Sequence, residues 1–518
     1  MSQDDLIPLR FPCGKGGLNR SKNFVDFPPT DLTMSESITT EGDTWRKEGG
    51  ATKINTTSFG SAILGGFDFW PGTPAVKEII VTLADGRVLA VASDLSTKTI
   101  ATGFGTGVPV FAEGWDGDQE ALYFCESSGS TQIHVYTGGA SASLIPKPNT
   151  DWTSANGFPT GIVHHSARMF AYGYAKSPHD IFGSLATDHG DYASPDTFRQ
   201  AATIGVGDGV VTAFSWRGKL YFGKRPVGLY ILDDSGVNIP EWSIVPVTQS
   251  IGFAGATSWV ELDDDILIIG PSGFFYSLGQ VENQGEQSAT PILPIETSDF
   301  FKEEINVARL DLSQLIWYGH KRQFMIAVPA VGATTNTRRI VGDFHSGRLQ
   351  LHYSRRDNCP ALFLERATIT SPLTPVIGDS SGFLWRLDQS ARSKDGAGYT
   401  SQFETPPLTF FDGGSRRGNL MALDLVFAQK GNYDVNVEVH RDGKLSQTLT
   451  FSQQSAGGAV GSVSLDQDVL GGITIANRRH KVGGDAVRAK LIGYNNVANQ
   501  DFAIQDLILW HTPGNNRP

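Results

Sequence analysis

Histidine and carboxylate side chains crowd one stretch of the chain. His164, His165, His179 and His189 are interleaved with Asp180, Asp188 and Asp191, residue types that hold a transition metal when imidazole and carboxylate converge on one ion. If His164 and His165 lie in a strand they point to opposite faces, so the spacing favours loop or core histidines over a metal centre. Asp116, Asp118 and Glu120 put carboxylates at alternate positions after Trp115. A calcium loop needs a central glycine and a later glutamate that this segment lacks, so a solvated turn is expected. Asp263-Asp-Asp265, with Arg309, Arg322 and Arg355, could bring acids and cations to a channel for glycoside cleavage. The Ser-x-Asp-x-Gly-x-Thr-Trp turn that recurs in sialidase blades is missing from the sequence, and the triple Asp reads as a surface turn. The glycine-rich Gly103–Gly107 and Gly205–Gly209 open no helix and belong to no βαβ unit, so neither makes a phosphate cradle. A Gly-x-Ser-x-Gly elbow followed by a helix is likewise missing. These residues assign no catalytic, cofactor-binding or metal-ligating position, and the expectation is a protein that is not an enzyme.

Whatever the chain does must be positioned by short strands. Gly270-Pro-Ser-Gly-Phe-Phe-Tyr-Ser-Leu278 and Gly378-Asp-Ser-Ser-Gly-Phe-Leu-Trp-Arg-Leu387 echo each other. Each follows an apolar strand, turns on Ser-Gly and enters a second strand of bulky residues. Related turns stand at Asp85-Gly86, Arg217-Gly218 and Ser346-Gly347; from Arg217 on, consecutive turns lie roughly 35 to 75 residues apart, close to the blade length of a β-propeller. Between residues 60 and 392 paired runs of four to six residues recur, among them 79–83 with 88–92, 121–125 with 132–136, 162–165 with 169–174, 210–215 with 219–223, and 258–261 with 265–269. Such runs are too short for amphipathic helices and are bounded by turn residues. They predict an all-β fold with a propeller of six to eight blades over 61–392. Short helices are expected at Ser298–Glu304 and Asp311–Leu315. A polar break at Asp388–Gly398 precedes alternating strands at 420–427, 433–441, 445–451, 486–493 and 502–510, with a tight turn at Asp442-Gly443. Residues 393–518 therefore predict a C-terminal β-sandwich or jelly roll. Residues 1–60, broken by prolines and glycines, predict an extended N-terminal arm with the first strands.

Composition bounds the partners. The chain has 518 residues, 59 of them glycine, and a net charge of −12, which opposes wrapping around nucleic acid because phosphate needs a concentrated basic face. Cys13, Cys125 and Cys359 are odd in number and far apart, which supports neither a disulfide framework nor a zinc knuckle. No apolar window reaches the roughly 20 residues of a membrane span, and the first residues lack the pattern of a secretory signal. Synthesis in the cytosol without membrane insertion is expected.

Arm, propeller and terminal sandwich together resemble the tail nozzle proteins (tubular protein B) of short-tailed bacteriophages. The resemblance rests on Gly16-Gly-Leu-Asn19, Trp45-Arg-Lys-Glu-Gly-Gly50, the Ser-Gly-Phe hairpins, and Tyr399-Thr-Ser-Gln-Phe-Glu-Thr-Pro-Pro407 followed by Arg416-Arg417 and the strand to Phe427. It covers almost the whole chain and implies a structural virion protein. That protein would form a homohexameric ring in the tail, below an adaptor and beside fibres or spikes, through whose lumen genomic DNA passes without sequence-specific binding. Arg338, Arg339, Arg355, Arg356, Arg416 and Arg417 are then candidate inter-subunit contacts, since Arg pairs bidentately with carboxylates. Phe11, Phe24 and Phe27 of the arm are candidates for the same role. Arg478-Arg479 is a further basic doublet. The alternative is a carbohydrate-binding or glycoside-cleaving propeller of a tail fibre or spike, in which some of the ten tryptophans would serve as sugar platforms.

Overall fold

Two kinds of strand are visible in the burial pattern. Glu78–Leu83 and Ile266–Ile269 are buried at every position, as strands covered on both faces must be. Tyr433–Arg441 instead alternates buried with half-exposed residues, the pattern of a sheet with one wet face. The first kind builds a propeller and the second a sandwich. The computed structural model describes residues 6–20, 28–72, 76–202, 208–236, 238–284, 295–345, 348–354, 358–411, 416–428, 433–453 and 476–514.

The propeller comprises five four-stranded sheets, one three-stranded sheet and the first four strands of a ten-stranded sheet, seven blades in all. Their first strands are Ile63–Phe69, Pro109–Trp115, Gly161–His165, Gly209–Trp216, Trp259–Glu261, Gln314–Tyr318 and Ala361–Arg366. Each blade meanders outward from its first strand through antiparallel neighbours. The echoing hairpins of the fifth and seventh blades turn alike. Gly273 and Gly382 both adopt a positive φ, at +83° and +81°, and each N–H is donated to a carbonyl three residues back. Ser346-Gly347 lies outside the described residues.

Five N-terminal strands tie the molecule together: β1 (Ile7–Pro12), β2 (Met34–Glu36), β3 (Ile38–Thr40), β4 (Trp45–Lys47) and β5 (Gly50–Lys53). β5 pairs with Leu384–Gln389 as the outer strand of the seventh blade, so a segment that precedes the first blade closes the ring. β1 and β4 both pair with Ala503–Pro513, and β3 pairs with β4. The expected arm over 1–60 is thus no separate element, and 393–518 alone does not make the sandwich. Both chain ends build it, because the open edges that β1 and β4 complete lie on the C-terminal strand. Its core contains Phe11, Trp45, Phe403, Leu423, Phe451 and Leu509.

Two short helices, α1 (Leu278–Gln284) and α2 (Ile295–Glu304), follow the fifth blade, and α2 includes the expected Ser298–Glu304. The helical turn expected at Asp311–Leu315 is instead the end of a 3-10 segment, Val307–Leu312, and the start of the sixth blade. Leu315 belongs to a core shared with Phe324 and Ile326, and that packing outweighs the local helical tendency.

The sixth blade and the sandwich share one sheet. β2 lies between the blade's outer strand, Arg348–Ser354, and the sandwich strand Ser401–Glu404. The seam is polar. Buried His352 shares hydrogen bonds with Ser35 Oγ (2.5 Å) and Thr40 Oγ1 (3.0 Å). Buried Asp343 accepts from the Thr40 N–H (3.0 Å) and from Gln323 Nε2 (2.5 Å). Burial pushes the Asp343 carboxyl up to about 7 against those two hydrogen bonds, and burial pushes the His352 imidazole down to about 3. Between those values both groups are uncharged.

Candidate functional site

The seven first strands enclose a channel along the propeller axis, with a cavity of about 860 Å³. Because all seven run the same way, their last residues gather at one end. Near the opposite end Gln314 Nε2 donates to the Leu64 carbonyl (2.7 Å) and its Oε1 accepts from Leu362 N–H (2.9 Å), joining the sixth, first and seventh blades. Toward the mouth the walls become aromatic. Phe67 and Phe111 stack with centroids 5.5 Å apart, and Trp259 and Trp317 face the same space.

Charged side chains sit where these strands finish. Asp68 is 7% exposed; its Oδ2 accepts from Trp70 Nε1 (2.9 Å), Arg366 Nε (3.0 Å) and Arg366 N–H (3.2 Å). The Arg366 guanidinium also lies 5.8 Å from the Trp70 ring centroid. Asp68 Oδ1 is buried without a hydrogen-bond partner. Glu113 and Glu261 line the same cavity from the second and fifth blades. Desolvation by the surrounding protein raises the Glu113 carboxyl, an effect opposed by Arg366 and reinforced by Glu120 and Asp68. His164 completes this set; burial and then the neighbouring His165 lower its imidazole. The arrangement can hold a solute between aromatic faces and can offer both acceptors and a guanidinium. Sequence reading missed Asp68, Glu113, Glu261 and Arg366, and singled out His164 only as a candidate metal ligand. Their common signal is a charge closing an apolar strand at a blade's first position, legible only once the first strands are known.

Most of the chemistry-bearing groups singled out in the sequence disperse, although the His164 and His189 rings stay close, with centroids 5.0 Å apart. His165 is buried against Ser215 Oγ (2.8 Å) and Asp234 (3.4 Å). His179 meets Lys224 Nζ (3.0 Å), and His189 accepts the Trp115 N–H (2.9 Å). Asp180 pairs with Arg199 (2.8 Å), and Asp188 accepts the Gly190 N–H (2.9 Å). Burial alone would raise Asp191, yet Lys147, Ser194 and Ala193 hold it down at about 2. Among the described residues no group of three His, Cys, Asp or Glu could hold a metal. Asp116 Oδ1 accepts the N–H groups of Asp118 and Gln119, forming a turn. Asp265 accepts from the Ile266 and Gly279 N–H groups, while Asp263 accepts from Trp317 Nε1 (2.9 Å) and lies 3.7 Å from Arg322. Arg309 pairs with Asp311 (3.2 Å). Gly103–Gly107 joins the first and second blades, whereas residues 205–207 of the other glycine run lie outside the described residues. Cys13, Cys125 and Cys359 are buried free thiols.

The candidate inter-subunit contacts divide as well. Phe11 is fully buried in the sandwich core and Arg339 is fully buried against Glu48. Neither can serve as a contact on the surface, because each is committed to its own chain. Arg338 is half-buried, Arg416 is exposed, and Arg417 reaches Asp485 (3.3 Å). Phe24, Phe27, Arg355 and Arg356 lie outside the described residues. Arg479 grips Asp424 with two hydrogen bonds, 2.6 and 2.7 Å, within the sandwich.

No known protein family matches the chain, and no curated protein matches it. Solved structures do. BBS1N in complex with ARL6DN is 11% identical with a TM-score of 0.40, over 68% of this chain and 98% of that one. Virginiamycin B lyase from Staphylococcus aureus is 11% identical with a TM-score of 0.41, over 65% and 98%. The exo-β-1,3-galactanase from Phanerochaete chrysosporium is 12% identical with a TM-score of 0.28, over 77% and 95%. At such identity these likenesses say nothing of what this chain binds.

Proposed function

We propose that the chain is a structural protein of a short-tailed phage virion, a nozzle subunit that forms a ring, of six copies by the resemblance, below the tail adaptor. The observation that carries the reading is the continuous sheet from the sixth blade through β2 into the sandwich, which makes propeller and sandwich one block with two distinct bodies to offer to neighbours. A conduit for DNA would have to lie between copies. The channel inside one propeller is walled by Phe67, Phe111, Trp259 and Trp317, and a duplex whose major groove alone is about 12 Å wide does not fit it. The net charge of −12 suits a lumen that lets phosphate pass without holding it. Fibres or spikes would attach at the outer side of the ring.

The test is native mass spectrometry and negative-stain imaging of the full chain, alone and with virion connectors lacking it. Rings on the connector support the reading; a chain that stays monomeric with connectors and is missing from purified virions overturns it. A second reading, a glycan-binding propeller, draws on the aromatic channel walls. It expects a monomer that retains oligosaccharides on a glycan array.

A further inference from the structure

We propose that the channel mouth is a binding site for a small organic cation, a protonated or quaternary amine carried on an apolar stem. The inference stands apart from the ring reading, since it concerns a cavity inside one copy. Its volume, about 860 Å³, falls in the range of about 300–1,000 Å³ typical of small-molecule sites.

The walls and the charges call for the same ligand. Phe67 and Phe111 form a stacked pair, and Trp259 and Trp317 also face the cavity; aromatic faces attract a cation through their quadrupole, most strongly where water is excluded. The charges are unbalanced. Arg366 is taken by Asp68, which leaves Glu113 and Glu261 on the wall with no ion pair among the described residues. Three carboxylates thus face one guanidinium. Asp68 adds a second sign: this side chain, more than nine-tenths buried on the wall, has its Oδ2 held by Arg366 and Trp70 but keeps its Oδ1 unpartnered, an acceptor that an ammonium donor could use. Burial and then the neighbouring His165 disfavour the charged form of His164. An amine among the rings would supply the missing charge beside Glu113 and Glu261, while its stem would cover apolar wall. A neutral saccharide would fit the walls but leave the charge imbalance untouched.

Calorimetric titration of the full-length protein with choline and with cadaverine tests the site, using the uncharged carbon isostere of choline and a panel of neutral monosaccharides as controls. Binding of choline or cadaverine is expected, at least about tenfold tighter than the isostere, since about 1.4 kcal/mol of cation–π and Coulomb attraction is a factor of ten. Added salt should weaken it. Glu113→Gln with Glu261→Gln should reduce the affinity by about tenfold; both carboxylates are exposed at strand ends, and an unchanged melting temperature verifies the fold. Phe111→Leu, which keeps the wall apolar, should weaken the cation and spare the isostere. Equal binding of cation and isostere, saccharide binding that ignores the Glu113→Gln change, or no cation binding at about 10 mM each overturns the proposal. None of these outcomes bears on whether rings form.

Discussion

The N-terminal segment meets the rest of the chain in two chemically opposite ways. At one contact Phe11 and Trp45 enter the sandwich core, where Trp45 lies 5.2 Å from Phe403. At the other, a few residues away along the chain, Ser35 and Thr40 enter a buried polar seam with Asp343 and His352 on the sixth blade. The dry contact gains free energy from area removed from water. The polar one gains little net, since every hydrogen bond replaces one to water. It does penalise any docking that leaves a buried donor or acceptor unpaired. The difference teaches that the sandwich is held together by apolar burial, while the angle it makes with the propeller is set by polar matching.

The comparison breaks first at its dry side. Trp45→Ala should cost about 4 kcal/mol in urea denaturation, and a loss under 1 kcal/mol would mean that the sandwich does not depend on this side chain. Next comes the buried pair between Arg339 and Glu48, beside the seam. Glu48→Gln removes the carboxylate charge facing the buried guanidinium and should cost about 3 kcal/mol, whereas Glu48→Leu with Arg339→Met should recover most of it. If the double change is as costly as the single one, the pair stabilises rather than specifies.

The seam itself predicts a hidden pH dependence. Asp343 is raised to about 7 in the fold, so its contribution is full below the unfolded value near 3.9 and is lost as pH rises through 7. His352 is lowered to about 3, so its contribution is full above about 6.5 and is lost as pH falls through 3. Between about pH 4 and 6.5 the two slopes oppose. Asp343→Asn should therefore expose a stability loss on acidification of about 1.4 kcal/mol per pH unit, and His352→Gln should expose a loss of similar slope as pH rises. Denaturation series across that window measure both. Flat profiles in both variants would mean that neither group is held neutral.

The smallest expected effect compares the two echoing hairpins. Gly273→Ala meets no atom closer than 3.4 Å and should cost only the positive-φ strain, about 1 kcal/mol. Gly382→Ala also drives its Cβ to 2.8 Å from the Ser61 carbonyl oxygen and should cost more. Melting temperatures rank the pair, and a reversed order would show that the two turns are not packed as they are here.

Much of the fold was legible in these same turns. Ser272-Gly273 and Ser381-Gly382 marked two blade hairpins, and Asp442-Gly443 marked the turn between two sandwich strands, where both residues adopt a positive φ. The route of the first 50 residues was not legible. Nothing local to Ile7–Pro12 says that its partner is Ala503–Pro513, or that Gly50–Lys53 completes the last blade. Phe11 and Arg339 could be taken for surface contacts because an aromatic or a basic residue reads the same in sequence whether it faces a neighbour or a core. The channel site was hidden for a similar reason: Asp68, Glu113, Glu261 and Arg366 come from four blades and share no spacing.

By itself the sequence determined strand length, turn position and an all-β class, because alternation and positive-φ turns act over a handful of residues. Only the tertiary structure decided which edges the N-terminal strands complete, that β5 closes a ring of seven blades, and which charges share one channel. Those outcomes depend on where open edges and strand ends meet in space, and contacts between residues hundreds of positions apart leave no periodic trace in the chain.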